Sequence, residues 1–135
     1  MRNVSRFYPL STLTVALVVY LSLFNPAKAG LDNISTWDKL AHCIMYAGTS
    51  AVLWYERLLN VTDPSESRTC GTVLLTVLFP TALGGVLELL QEHCTLCRSG
   101  EWGDFLADSA GVAAGAVITA TVIRPLVRHR LRSKR

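Results

Sequence analysis

An all-α integral membrane protein, a bundle of four transmembrane helices, is the architecture that this 135-residue sequence predicts. Four apolar stretches, residues 8–24, 39–59, 70–90 and 104–127, approach or exceed the roughly 20 residues that a helix needs to cross a bilayer. Half of the residues are hydrophobic, yet nothing outside those stretches is long enough to bury a core of its own. The connections are short and polar, so residues 1–135 read as one domain made of two helical hairpins.

Taken in order, the first stretch is plain Leu, Val and Thr without a charge. Arg2 and Arg6 precede it and Ala27-Lys28-Ala29 follows, which has the small-residue shape of a signal-peptidase site. The length of the run and Pro26 beside Lys28 weigh against cleavage, so it is read as a span. Cleavage would leave three spans and the same outward loops. The second stretch opens Trp37-Asp38-Lys39-Leu40-Ala41-His42, with Ser35 and Thr36 available as caps. The third carries Pro80, a kink whose freed backbone groups neighbours must satisfy, and Gly84-Gly85 ahead of Glu88. The fourth has Gly111-x-x-x-Gly115 among alanines, a surface for close helix approach, within the chain or in a homodimer.

The basic residues set the orientation. With four spans, Arg2, Arg6, Arg57, Arg68 and the six Lys and Arg from Arg124 to Arg135 share one side, against Lys28, Lys39 and Arg98 on the other. Ten against three puts both termini in the cytoplasm and the loops 25–38 and 91–103 outside. Trp37 and Trp102 then mark the outer interface, and Tyr8, Trp54 and Tyr55 the inner one. The net charge of +3 comes from the tail 128–135 and its flank, beside a span and not on a basic fold. The expected partner is therefore the lipid bilayer, not nucleic acid.

A short internal repeat fits the hairpins. Asp38-Lys39-Leu40-Ala41-His42 opens the second span and Asp104-Phe105-Leu106-Ala107-Asp108 the fourth. Each has an Asp at its mouth and a second ionisable residue four positions on, on the same helix face. Leu-Thr-Val occurs at Leu13–Val15 in the first span and again at Leu75–Val77 in the third. Both hairpins run in the same sense, so the repeat is a parallel one about an axis along the membrane normal.

The polar residues gather at the outer end. His42, Glu88 and Asp108 lie about one turn inside three different spans, where an ionisable group is costly and marks a functional position. Asp38, Lys39, Gln91, Glu92, Arg98, Glu101 and Asp104 form a rim about 6 Å further out. Asp38 and Asp104 also suit the first turn of a helix, where the dipole and capping favour a carboxylate. Glu88 lies near a helix C-terminus and needs a proton, a cation or a basic partner, such as His42 or Arg98. His42 and Glu88 are the candidates for a general acid and base. The hydroxyls of Ser35, Thr36, Thr95, Ser99 and Ser109 have no visible activating partner, which argues against covalent serine chemistry.

An acid-rich cluster suits a cation, a proton, an amine or sugar hydroxyls better than a bare phosphate. His42, Glu88 and Asp108 offer oxygen-rich ligation to a divalent ion, but no four-ligand spacing marks one, and neither a metal nor a cofactor is expected. Cys43 and Cys70 are expected to pack as small hydrophobes. Cys94-Thr95-Leu96-Cys97 in an outward loop is a weak zinc signal and a candidate local disulfide.

Asp38-Lys39-x-x-His42 with Tyr46, then Glu88-x-x-Gln91, then Arg98, Asp104 and Gly111-x-x-x-Gly115, resembles the VanZ-like family of small membrane proteins. The match covers the second to fourth spans in the family's order and spacing. Tyr20-Leu21-Ser22-Leu23 before Pro26 is similar to the family's first span. One position departs: Asp108 stands where the family usually has Asn, which adds an acid at depth. The resemblance selects Asp38, His42, Glu88, Gln91, Arg98 and Asp104 as site residues. It implies a multi-pass protein of the cell membrane, acting at the cell envelope, with a link to antibiotic resistance through teicoplanin susceptibility.

Three functions are then open. The pocket binds a lipid-linked or surface glycan headgroup, or His42 and Glu88 act as acid and base on an envelope lipid. In the third, the polar residues specify packing in a structural or partner-binding bundle.

Overall fold

A computed structural model of the chain describes residues 8–24, 35–61, 70–94 and 102–133. Among these, four helices account for nearly every residue: α1 (Pro9–Phe24), α2 (Ser35–Asn60), α3 (residues 70–94) and α4 (residues 102–132). They coincide with the four apolar stretches, and α2, α3 and α4 run several residues beyond them. Apart from Val61, the residues between helices lie outside the described ones, among them Arg98, Glu101, Cys97 and the 27–29 motif, as do the side chains of Ser35, Thr36 and Cys94.

Local chemistry explains each helix. In α2 Asp38 occupies the first turn and Arg57 the last, each matched to the helix dipole. In α4 Asp104 occupies the first turn. The carboxylate of Glu56, near the end of α2, receives the N–H groups of Leu10 (2.9 Å) and Ser11 (2.8 Å) and the Ser11 hydroxyl (2.5 Å). Glu56 thereby caps α1 from a neighbouring helix, satisfying its first two N–H groups, since Pro9 has none.

Both prolines in α3 and α4 follow a wide π-type turn. Leu74–Leu78 precedes Pro80 and Thr119–Ile123 precedes Pro125, the turn starting six residues before each proline. Proline has no N–H and its ring clashes with the carbonyl four residues back. The wide turn, closed by the N–H of Phe79 on the Leu74 carbonyl and of Arg124 on that of Thr119, relieves the crowding. For Pro80 the carbonyl four back is that of Thr76, and Ser50 on α2 donates its hydroxyl to it at 2.9 Å.

The largest helix contact is between α2 and α4. A Cβ on Gly111 would strike the carbonyl of Cys43, and one on Gly115 that of Ala47. Positions on both helices rise together, Gly111 against Cys43 and Gly115 against Ala47, so the two run parallel. The small-residue face of α4 is thus packed against α2 inside the chain. α1 packs on α2 and α3, and α3 on α4.

Burial is inverted relative to a water-soluble fold. Among the described residues five hydrophobic side chains are buried (Val18, Tyr46, Leu53, Leu87 and Val112), against fourteen polar or charged ones. Large apolar side chains such as Leu13, Ile44, Leu89 and Val117 are exposed. Two helices, Cys70–His93 and Trp102–Arg130, are long and apolar enough to cross a membrane. The other two do not reach that length and apolarity together: α1 has 16 residues, and α2 carries Asp38, Lys39, Glu56 and Arg57.

Candidate functional site

Three of the helices bring acids and a histidine to one end of the bundle. His42 follows the start of α2 (Ser35) by seven residues and Asp108 the start of α4 (Trp102) by six. Glu88 precedes the end of α3 (Cys94) by six. Each is therefore about 9–10 Å inside its helix, nearer two turns than the one turn that the apolar boundaries gave. That depth also weakens the dipole argument for Glu88, because the dipole acts mainly within the last turn.

His42, Glu88 and Asp108 are all buried, at 3%, 8% and 1% exposure. The Nδ1 of His42 lies 2.8 Å from Oδ1 of Asp108, so the carboxylate holds the imidazole. Residues 42 and 108 are equivalent positions of the internal repeat, and they meet across the α2–α4 seam. Gly84 makes room for Asp108: a Cβ there would lie 2.8 Å from Oδ2. One ligand atom from each of His42, Glu88 and Asp108 falls within 4.8 Å of the others, and the same is true of Asp38, His42 and Asp104.

The rim is ordered less tightly. Asp104 is fully buried and its Oδ1 lies 3.9 Å from Nζ of Lys39. The Lys39 chain passes over Gly103, where a Cβ would meet its Cε at 2.6 Å. Asp38 is half-buried in the first turn of α2. Gln91 is fully buried and donates its amide to the Ser22 carbonyl at 2.7 Å, tying α3 to α1. Ser109 donates to the Phe105 carbonyl of its own helix at 2.9 Å. Cys43 is half-buried beside the α2–α4 seam and Cys70 is exposed.

A cleft of about 380 Å³ opens beside this cluster, between α3 and α4. Val86, Leu89, Phe105 and Trp102 supply apolar walls, with Glu88 and Glu92 as its acidic groups. Trp102 and Phe105 meet edge to face, with ring centres 6.2 Å apart. Glu88 belongs both to the buried cluster and to the cleft, and so connects the two.

Sequence reasoning missed a second polar site at the opposite end. Beside the Glu56 cap, buried Arg57 donates from Nε to the Thr72 hydroxyl at 3.1 Å. The signal was present, since Glu56 sits near a helix C-terminus, where the dipole disfavours an acid. No protein-family model, curated protein or solved structure matches the chain.

Proposed function

We propose that the chain is a VanZ-like protein of the cell membrane, crossing it four times with both termini cytoplasmic. Its outward pocket binds the headgroup of a lipid-linked or surface glycan and so acts at the cell envelope. The observation that carries this reading is the junction at Glu88 of a buried polar cluster with an apolar cleft facing away from the bundle. An amphipathic ligand needs that combination: chain against Val86, Leu89 and Phe105, headgroup against the acids. The inverted burial supports the membrane setting, because hydrocarbon favours apolar side chains outside and polar ones paired inside. Any influence on teicoplanin susceptibility would follow from occupancy of such a lipid.

The test is photo-crosslinking in native membranes. A photoreactive residue at Leu89, in the cleft, should capture a distinct envelope lipid. The same residue at Ile44, an exposed α2 position outside the cleft, should capture only bulk phospholipid. Bulk phospholipid alone at both positions would overturn the proposal.

One observation favours a second reading, a membrane enzyme. Asp108 orients His42 as a carboxylate orients a catalytic imidazole, with Glu88 as the second titrating group. This reading requires a chemical change in the envelope lipid pool that disappears in His42→Gln. An unchanged pool excludes it.

A further inference from the structure

We propose that His42, Glu88 and Asp108 bind a first-row divalent cation of the Mn²⁺ or Zn²⁺ type at the floor of the α3–α4 cleft. The inference deepens the reading of that pocket as a headgroup site, since a bound ion is what would let an acid-rich pocket hold an anionic headgroup. Three donor atoms from three helices lie within 4.8 Å of one another, on buried side chains. An ion bonded at about 2.0–2.2 Å keeps its ligand atoms within roughly 3–4.4 Å of each other. The cluster needs shifts of only a few tenths of an ångström to close on one. One imidazole nitrogen with two carboxylates is a mixed set that suits manganese, iron or zinc, whereas an all-oxygen set would suit magnesium or calcium.

Three further features fit an ion. Nδ1 of His42 and Oδ1 of Asp108 already lie 2.8 Å apart, close to the ligand–ligand spacing an ion imposes, and the ion would take the place of the proton between them. Gly84 provides the recess in which Oδ2 of Asp108 sits. Glu88 lines the cleft, so an ion there would keep open coordination positions facing the outside of the bundle. Asp38 and Asp104 add acid around the same histidine: among the described residues of the cluster four carboxylates stand against Lys39 and His42. The ligands come from three helices, so their common depth in the apolar runs, and not a local spacing, is the sequence signal that groups them.

The experiment is equilibrium dialysis of chelator-stripped, detergent-solubilised full-length protein against Mn²⁺ or Zn²⁺ alone, with wild type, Glu88→Gln and, as a control at an exposed residue outside the cluster and the cleft, His129→Gln. Wild type and His129→Gln should take one ion per chain, and Glu88→Gln should bind at least tenfold more weakly. No ion on the wild type above a protein-free control, or equal affinity in Glu88→Gln, overturns the inference. Should Glu88→Gln fail to fold, pulsed electron paramagnetic resonance on the wild-type Mn²⁺ complex decides. Coupling to one imidazole nitrogen supports the site, and a bound ion without nitrogen coupling overturns it. The lipid reading fails or stands separately. An ion bound with no captured lipid leaves this inference intact, and captured lipid with no ion removes this inference alone.

Discussion

Asp108 fixes His42, and its worth can be measured because both side chains are almost wholly buried. Breaking a buried pair from one side leaves an uncompensated polar group, at a cost of about 3–5 kcal/mol. Removing both partners should cost less than the sum. A double-mutant cycle of His42→Ala and Asp108→Ala, read by thermal unfolding in detergent, should give a coupling of about 1–3 kcal/mol. Additive losses would mean that the two residues do not act together. At the opposite end, Glu56→Gln should weaken the cap on α1 by about 1.5–3 kcal/mol, since it removes the charge from three hydrogen bonds. Hydrogen exchange at Leu10 and Ser11 would report it. The depth of His42, Glu88 and Asp108 was legible in the sequence, because charge inside an apolar run stands out. The partnership of 42 with 108 was foreshadowed only by the repeat. Gln91 read as a rim ligand, yet its amide ties α3 to the Ser22 carbonyl of α1, a pairing across 69 positions that no local pattern encodes.

Helix positions followed from apolar run length, while the interior of α3 and α4 did not. A proline in a helix predicts a kink; it does not say whether a wide turn or a partner hydroxyl relieves it. At Pro80 both do, and Ser50→Ala should cost about 1 kcal/mol by taking the donor from the Thr76 carbonyl. The glycine pattern was more informative. Gly111 and Gly115 sit where a Cβ would strike the α2 backbone, which cannot give way as a side-chain tip can. Gly111→Ala should destabilise by about 1–3 kcal/mol. Gly48→Ala, on an exposed helical surface with nothing within 4 Å of the added carbon, should stabilise by up to about 1 kcal/mol through helix propensity. The same Gly-to-Ala change should therefore have opposite signs at two positions, as midpoints of thermal unfolding would show. The spacing Gly-x-x-x-Gly announced a close approach without identifying the partner helix, because a second copy and a neighbouring helix ask the same of a glycine.

At the scale of the molecule, the bundle places its acids and hydroxyls inside and its leucines outside, the arrangement that suits a hydrocarbon solvent. The four apolar runs made the helix count readable. Their assembly was not, since which face of each helix turns inward depends on polar pairs such as Ser50 with Thr76 that join distant segments. The proposed topology has a direct check: cysteines introduced at Trp37 and at Arg128 should react with a membrane-impermeant thiol reagent from opposite sides of the membrane. The central claim is that the outer cluster with its cleft is a binding site and not only a packing device. Native mass spectrometry of gently released wild-type and Glu88→Gln protein tests it most directly, with thermal stability measured on the same samples. The expected result is a polyprenyl-linked or glycolipid adduct on the wild type that is missing from an equally stable Glu88→Gln chain. Identical, unselective lipid on two equally stable proteins would contradict the account.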